Sequence, residues 1–221
     1  MAKSKIIKEL AKSQVDLESI MKQLKILLLD LGKDDYIEWI NHELQGYPTN
    51  EDLPEYRRCG GVLKGSFLNG WTQCTEISIP LVDDTPDEVR RFTSKVYFTE
   101  GISALKQLQS GSGMITVSMP GDVLPYIQKY SAVSMTCLFS AKVEVSEIAV
   151  TRILSIIENK VMDILLLLEK EFGCLDDLDL NISGTSDMDI EKVKSDISLI
   201  IYDKHIELGN NNTIKNSDII T

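Results

Sequence analysis

Histidine and closely spaced cysteine are scarce in this 221-residue sequence. There are two histidines, His42 and His205. The four cysteines stand singly, with no C-x-x-C pair: Cys59, Cys74, Cys137 and Cys174. Structural zinc sites use closely spaced Cys and His ligands, so the sequence predicts no metal site. We expect free thiols, and expect Cys74 and Cys137 to lie in strands and pack as small hydrophobic residues.

The common catalytic and cofactor motifs are also missing. Neither histidine is accompanied by the Gly-x-Ser-x-Gly turn of a serine hydrolase. The glycines of 60–66 lack the spacing of a phosphate-binding loop. The acidic stretches 176–179 and 187–189 lack the glycine and terminal glutamate of an EF-hand. The sequence therefore predicts no cofactor and favours a protein that is not an enzyme.

Long apolar runs and positive charge are lacking as well. The longest aliphatic runs, 26–29 and 164–168, are far shorter than the roughly 20 residues of a membrane-spanning helix, and the charged N-terminus has no apolar signal core. With 23 basic and 34 acidic residues the net charge is −11, which disfavours contact with nucleic-acid phosphates. We expect a cytoplasmic protein that binds neither membranes nor nucleic acid.

Hydropathy periods predict an α+β fold. Residues 4–31 have a helical apolar stripe, and a second helix begins at Asp35, where Glu38 completes a capping box, and ends at Gly46. Their short connection predicts an antiparallel αα-hairpin. The long helix 147–172 is rich in leucine, and we expect its 157–168 part to contact residues 20–29 of the hairpin.

Period-two patterns predict a small, mainly antiparallel sheet. Residues 62–68 and 71–81 flank Asn69-Gly70, which is typical of a type I′ β-hairpin. In 133–145 every second residue is apolar and only Leu138 breaks the pattern. A strand with one buried face and one wet face favours antiparallel pairing. Thr85 is predicted to cap a short helix that has Pro86 at its first position.

The chain is predicted to divide into three parts. Residues 1–173 form the α+β domain, 174–189 an acidic linker, and 190–221 a flexible C-terminal segment of short helix or strands. Its asparagine-rich end, 209–219, is expected to be a frayed tail, with docking on the body or on another subunit as the alternative.

The densest polar and aromatic cluster follows the second predicted helix. Glu43, Glu55 and Arg57 are expected to form a charge cluster where the helices meet the sheet, because arginine suits a carboxylate pair. We prefer a structural role for this cluster. The alternative is a catalytic or ligand-binding site that includes Tyr56.

The same region resembles the AbiTii domain family, whose members occur in bacterial proteins assigned to abortive infection, a defence against phage. The resemblance rests on WINHELQGY and LPEYR and continues through GISALKQL to LEKEF, over residues 4–172. Its most specific residues are Trp39, Glu43, Leu44, Gly46, Tyr47, Pro54, Glu55, Tyr56 and Arg57. The resemblance implies a biological context and no catalytic residues.

The preferred function is therefore a component of an anti-phage system that acts through assembly with itself or with another defence protein. The first alternative is a toxin-like enzyme, such as a nuclease, with its site at Glu43, Glu55, Tyr56 and Arg57. An open cleft there with a raised carboxylate pKa favours the enzyme; a closed pair favours a structural role. A second alternative is a ligand-sensing module with a large pocket.

Overall fold

The fold is α+β, as predicted. The computed structural model describes residues 3–111 and 113–202. Its α-helices are α1 (Lys5–Ala11), α2 (Leu17–Leu29), α3 (Asp34–Gln45), α4 (Asp87–Ser94), α5 (Ile102–Gln109), α6 (Leu124–Lys129), α7 (Ile148–Phe172) and α8 (Asp187–Tyr202). Its strands are β1 (Arg58–Gly60), β2 (Val62–Asn69), β3 (Thr72–Ser78), β4 (Lys95–Tyr97), β5 (Met114–Ser118) and β6 (Cys137–Ser146).

The main sheet has four antiparallel strands in the order β3-β2-β6-β5, and β1 pairs separately with β4. Helices α4, α6 and α7 contact the main sheet, while α1, α2, α5 and α8 contact α7. The long helix α7 therefore lies at the centre of the molecule. The expected contact between the hairpin and the long helix is confirmed at the level of whole helices, since α2 packs on α7 and buried residues of both belong to the core.

One face of the main sheet is wet, as the alternation indicated. Lys64 and Lys142 both form salt bridges with Glu144 across the outer face, at 2.6 and 2.9 Å. The apolar assignment along β6 is wrong at its start, because a register shift beside Phe67 changes which residues face inward. Leu138, the apparent exception, is buried, whereas Cys137 and Phe139 are exposed.

The single helix expected over 4–31 is two helices. Ser13 has a positive φ of 50°, which stops α1, and the Asp16 carboxylate then accepts a hydrogen bond from the Glu18 amide at the start of α2. A short polar side chain that accepts a backbone N–H is a favourable helix cap. The apolar stripe takes a wider step at this break, from Leu10 to Leu17.

Two predicted helix starts are also wrong. Helix α3 begins at Asp34 after Lys33, without a side-chain cap, so Asp35 and Glu38 form no capping box. Helix α4 follows Pro86, and the Thr85 hydroxyl donates to the Val82 carbonyl instead of capping the helix.

The β2–β3 turn is displaced by one residue from the predicted position. Asn69 pairs with Thr72, so the loop is Gly70-Trp71 rather than Asn69-Gly70. Only Gly70 has a positive φ in this loop, which is the sign pattern of a type II′ turn and not of type I′.

The chain after α7 packs against the helices. Leu175 and Leu180 are buried, and the amide of Leu180 donates to the Asp30 carboxylate. Helix α8 follows, with its buried side chains Val193, Ile197 and Ile201. The domain boundaries remain a prediction. His205, the asparagine-rich end and the rest of 203–221 lie outside the described residues.

The N-terminus is held against the end of α7. The Ser4 hydroxyl donates to Glu169 at 2.6 Å and accepts from the Leu175 amide, and Lys3 forms a salt bridge with Glu169. Burial opposes the negative charge on Glu169, but the hydrogen bonds from Lys3 and Ser4 outweigh it and lower the pKa to about 2.

The cysteines are free thiols in different surroundings. Cys59 and Cys74 are half-buried, and Cys137 and Cys174 are exposed. The expectation that Cys137 packs as a small hydrophobic residue is therefore wrong, because the shifted β6 register turns it outward. Within the described part of the chain, no helix has both the length and the hydropathy needed to cross a bilayer.

Candidate functional site

The candidate site is built where the end of α3 meets the 99–101 segment, with main chain packed on main chain. Gly46 ends α3 at a φ of 106° and forms a bridge with Glu100. A Cβ on Gly101 would lie 2.3 Å from the carbonyl oxygen of Leu44. Because neither Gly46 nor Gly101 carries a side chain, these two segments can approach closely, and α3 side chains lie beside the Glu55–Arg57 turn.

A fully buried ion pair lies at the centre of this junction. Nη2 of Arg57 is 2.6 Å from Oε2 of Glu43, and both side chains are 0% exposed. A buried charge requires a partner and further hydrogen bonds, because removing it from water is costly. The pair thus joins α3 to the Glu55–Arg57 turn.

Other groups satisfy the two charges further. Nη1 of Arg57 donates to the carbonyl oxygens of Phe98 and Glu100, at 2.9 and 2.6 Å. The hydroxyls of Tyr47 and Tyr56 both donate to Oε1 of Glu43 at 2.6 Å. We refer to Glu43, Arg57, Tyr47 and Tyr56 as the buried hub.

The hub tyrosines are held as hydrogen-bond donors. Burial raises the pKa of Tyr47 and of Tyr56 well above the ordinary value, and the negative charge of Glu43 raises both further. A tyrosine that stays protonated and donates to a carboxylate is not poised as a nucleophile or base. Both hydroxyls therefore serve as donors to Glu43 and link Tyr47 and Tyr56 to the ion pair.

Glu55 lies apart from the buried hub. Its side chain is 83% exposed and pairs with Arg58 at 3.1 Å, rather than with Arg57. The expected three-residue charge cluster therefore contains only Glu43 and Arg57, and the hub tyrosines both donate to Oε1 of Glu43.

An open cleft of about 670 Å³ lies over the hub tyrosines. It is lined by Asp35, Glu38, Trp39, His42, Tyr47, Pro48, Asp52, Pro54, Glu55, Tyr56, Ile201 and Tyr202. Of the residues that carry the family resemblance, five line this cleft: Trp39, Tyr47, Pro54, Glu55 and Tyr56. The remaining four, Glu43, Leu44, Gly46 and Arg57, lie beneath it or at the end of α3.

Sequence reasoning missed the acidic rim of the cleft. Asp35, Glu38 and His42 recur at steps of three and four, which places them on one face of α3. That spacing was a usable signal. Nothing in the sequence indicated that Asp52 and Tyr202 would lie beside them. Tyr202 reaches the cleft because α8 packs on α7 and α3, which are distant from it in the chain.

The cleft combines negative charge with aromatic surface. Four carboxylates and four aromatic side chains besides His42 line it, and the described lining contains no lysine or arginine. Carboxylates pair with cations, and aromatic faces attract them. The cleft therefore suits an ammonium or guanidinium group. No group of three or more His, Cys, Asp or Glu side chains within 3–111 and 113–202 is arranged to hold a metal ion.

Comparison with known proteins supports one family. The AbiTii family model matches residues 4–187, which is most of the chain. No curated protein and no solved structure matches the sequence. The match includes the buried hub, the residues before α8 that line the cleft, and the whole main sheet.

Proposed function

The chain belongs to the AbiTii family, and from that membership we propose that it acts in abortive infection by binding another protein rather than by catalysis. The family indicates a role in the defence of bacteria against phage. The binding mechanism and the cytoplasm as the place of action are our proposals.

The observation that carries the proposal is the division between a closed hub and an open cleft. Glu43 and Arg57 are sealed, and Tyr47 and Tyr56 donate to Glu43. This argues against the toxin-like enzyme with its site at the junction, because Glu43 and Arg57 are closed off from solvent and Glu55 pairs with Arg58 instead of joining them. The cleft over the hub tyrosines instead provides an exposed surface that a partner can bind.

The partner we propose presents a basic segment, with an arginine or lysine side chain entering the cleft. Glu38 and Asp52 are exposed on its rim, and Trp39 and Tyr56 form part of its wall. A cation over an aromatic face, next to carboxylates, gains from both interactions. Excess negative charge also accelerates the approach of a basic partner.

A plaque assay on cells that express the chain tests the proposed function. We expect Glu38→Lys/Asp52→Lys to lose protection while the protein level and melting temperature stay near wild type. The matched control is Asp83→Lys/Asp84→Lys, which makes the same charge change in an exposed loop outside the cleft. Full protection by the rim variant would overturn the proposal.

A direct binding measurement complements the plaque assay. Trp71 is fully exposed at the hairpin tip, whereas Trp39 lies in the cleft wall. In the Trp71→Phe variant, Trp39 is the remaining tryptophan, so the fluorescence reports on the cleft wall. We expect an arginine hexapeptide to change this emission in a salt-sensitive manner, and a glutamate hexapeptide to leave it unchanged. Equal responses to the two peptides would argue against a cation site.

A further inference from the structure

The two edges of the main sheet differ in how they are protected. On one edge, β3 has a register irregularity opposite Ser66, and Glu76 there has a positive φ of 57°. On the other edge, β5 pairs with β6 in unbroken register from Met114 to Ser118. A bulge, a charged side chain or a proline usually protects an edge strand against pairing with another chain, and the five residues of β5 contain none of these.

The backbone groups of β5 that face outward can be assigned from its pairing. The Met119 amide donates to the Ala141 carbonyl, and the Glu147 amide donates to the Gly113 carbonyl. Because hydrogen-bonded pairs alternate in an antiparallel ladder, the odd-numbered residues bond to β6. The N–H and C=O groups of Met114, Thr116 and Ser118 therefore point away from the sheet, and no hydrogen bond within the described residues satisfies them.

The side chains of this edge are suited to another copy of the same strand. Met114 and Val117 are 50% and 41% exposed, and all five residues of β5 are uncharged. With Thr116 on a two-fold axis, Met114 faces the partner's Ser118 and Ile115 faces the partner's Val117. Apolar residues then meet on the inner face of the sheet, and no like charges are opposed.

We propose that two copies of the chain associate through β5 in antiparallel register about Thr116, so that their main sheets become one continuous sheet. The outward groups of Met114, Thr116 and Ser118 form about six hydrogen bonds across this interface. A two-fold axis makes the contact closed, so the assembly stops at a dimer. The inference shares with the proposed function only the idea of association, and it uses none of the cleft residues.

Sedimentation velocity of the full chain over a wide concentration range tests the dimer. We expect a species of twice the 24.8 kDa chain mass. Thr116→Pro removes the N–H at the axis from both copies without touching the β6 ladder. We expect it to weaken dimerisation about 30-fold, the effect of losing two net hydrogen bonds.

Two further variants control for folding and for position. Gln73→Pro places the same residue on the opposite edge strand, and we expect it to dimerise like wild type. Thr116→Lys keeps the N–H but opposes two like charges across the axis, so we expect a folded monomer, checked by circular dichroism. Thermal unfolding of Thr116→Pro is compared with that of wild type to check that the proline variant is folded.

Two results would overturn the dimer. One is a wild-type chain that stays monomeric at every concentration, and the other is a dimer that survives in both Thr116 variants. The outcome is separable from that of the proposed function. If Glu38→Lys/Asp52→Lys dimerises normally and still protects cells, the partner proposal fails and the dimer stands.

Discussion

The buried ion pair provides the sharpest test of the site's structural role. Glu43→Gln keeps the size and shape of the side chain but removes its charge, which leaves Arg57 buried and uncompensated. Loss of one partner of such a pair costs about 3–5 kcal/mol. For a chain of this length each kcal/mol lowers the melting temperature by about 2–4 °C, so we expect a fall of about 6–20 °C.

Most of the local hydrogen bonds survive this substitution. The Gln amide oxygen can still accept from Tyr47 and Tyr56, and Arg57 keeps its two backbone carbonyl acceptors. The loss is therefore concentrated in the charge pair, where an amide N–H₂ group now faces guanidinium donors. Substitution by alanine would mix this effect with a cavity, since large-to-small changes add a cavity cost.

Urea unfolding and differential scanning calorimetry of wild type and Glu43→Gln measure the effect. The matched control is Glu55→Gln, the same chemical change on an exposed side chain paired with Arg58. Exposed salt bridges contribute about 0–1 kcal/mol, so we expect little change there. If Glu43→Gln lost less than about 1 kcal/mol, the reasoning that the pair holds the junction together would be refuted.

Three further predictions concern other parts of the fold. Gly101→Ala should destabilise by at least about 2 kcal/mol through overpacking, whereas Gly121→Ala, with no atom within 4 Å of its added Cβ, should be near neutral in the same urea titrations. The pKa of Glu169 is about 2 when folded, below its unfolded value of about 4.3. Its interactions therefore stabilise the fold above about pH 4.5 and are lost as the pH falls toward 2. Ser4→Ala should flatten that slope in urea midpoints measured against pH, and an unchanged slope would contradict it. Trp71→Phe should remove most acrylamide quenching of fluorescence, because the other tryptophan is buried; strong residual quenching would show otherwise.

The elements that the sequence predicted best are those with long, uninterrupted periodicity. Helix α7 has an apolar stripe over more than six turns, and its burial follows from that stripe. The β2–β3 hairpin was predicted because alternation and a glycine turn agree. Its turn was misplaced by one residue, since the pairing of Asn69 with Thr72 is decided by the ladder and not by the dipeptide.

The wrong predictions concern segments whose hydropathy pattern fits two different local structures. Leu138 is an exception only if the alternation of β6 continues without a register shift. A single register shift exchanges the two faces of a strand, and it turns Leu138 inward. Residues 4–31 were predicted as one helix because the apolar stripe resumes after Ser13. Ser13 has a positive φ and α1 packs on α7, and hydropathy periodicity reports neither of these.

The candidate site was also predicted only in part from the sequence. The sequence marked Glu43, Arg57 and Tyr56 as residues that come together, because a carboxylate, a guanidinium and aromatics in one short stretch favour a shared polar site. It also placed Glu55 among them, although the geometry of the Glu55–Arg57 turn directs Arg57 inward and Glu55 into solvent. Side chains of nearby residues in a tight turn point in different directions, and the groups that each one contacts decide which is buried.

The sequence by itself determined the α+β class, the wet outer face of the sheet and the helix-to-sheet junction, because each depends on the order and period of nearby residues. Only the tertiary structure decided that Glu43 and Arg57 are sealed, that a cleft opens above them, and that β5 is left at an unprotected edge. Burial, cleft shape and strand order depend on contacts between residues far apart in the chain. Local hydropathy constrains those contacts without specifying them.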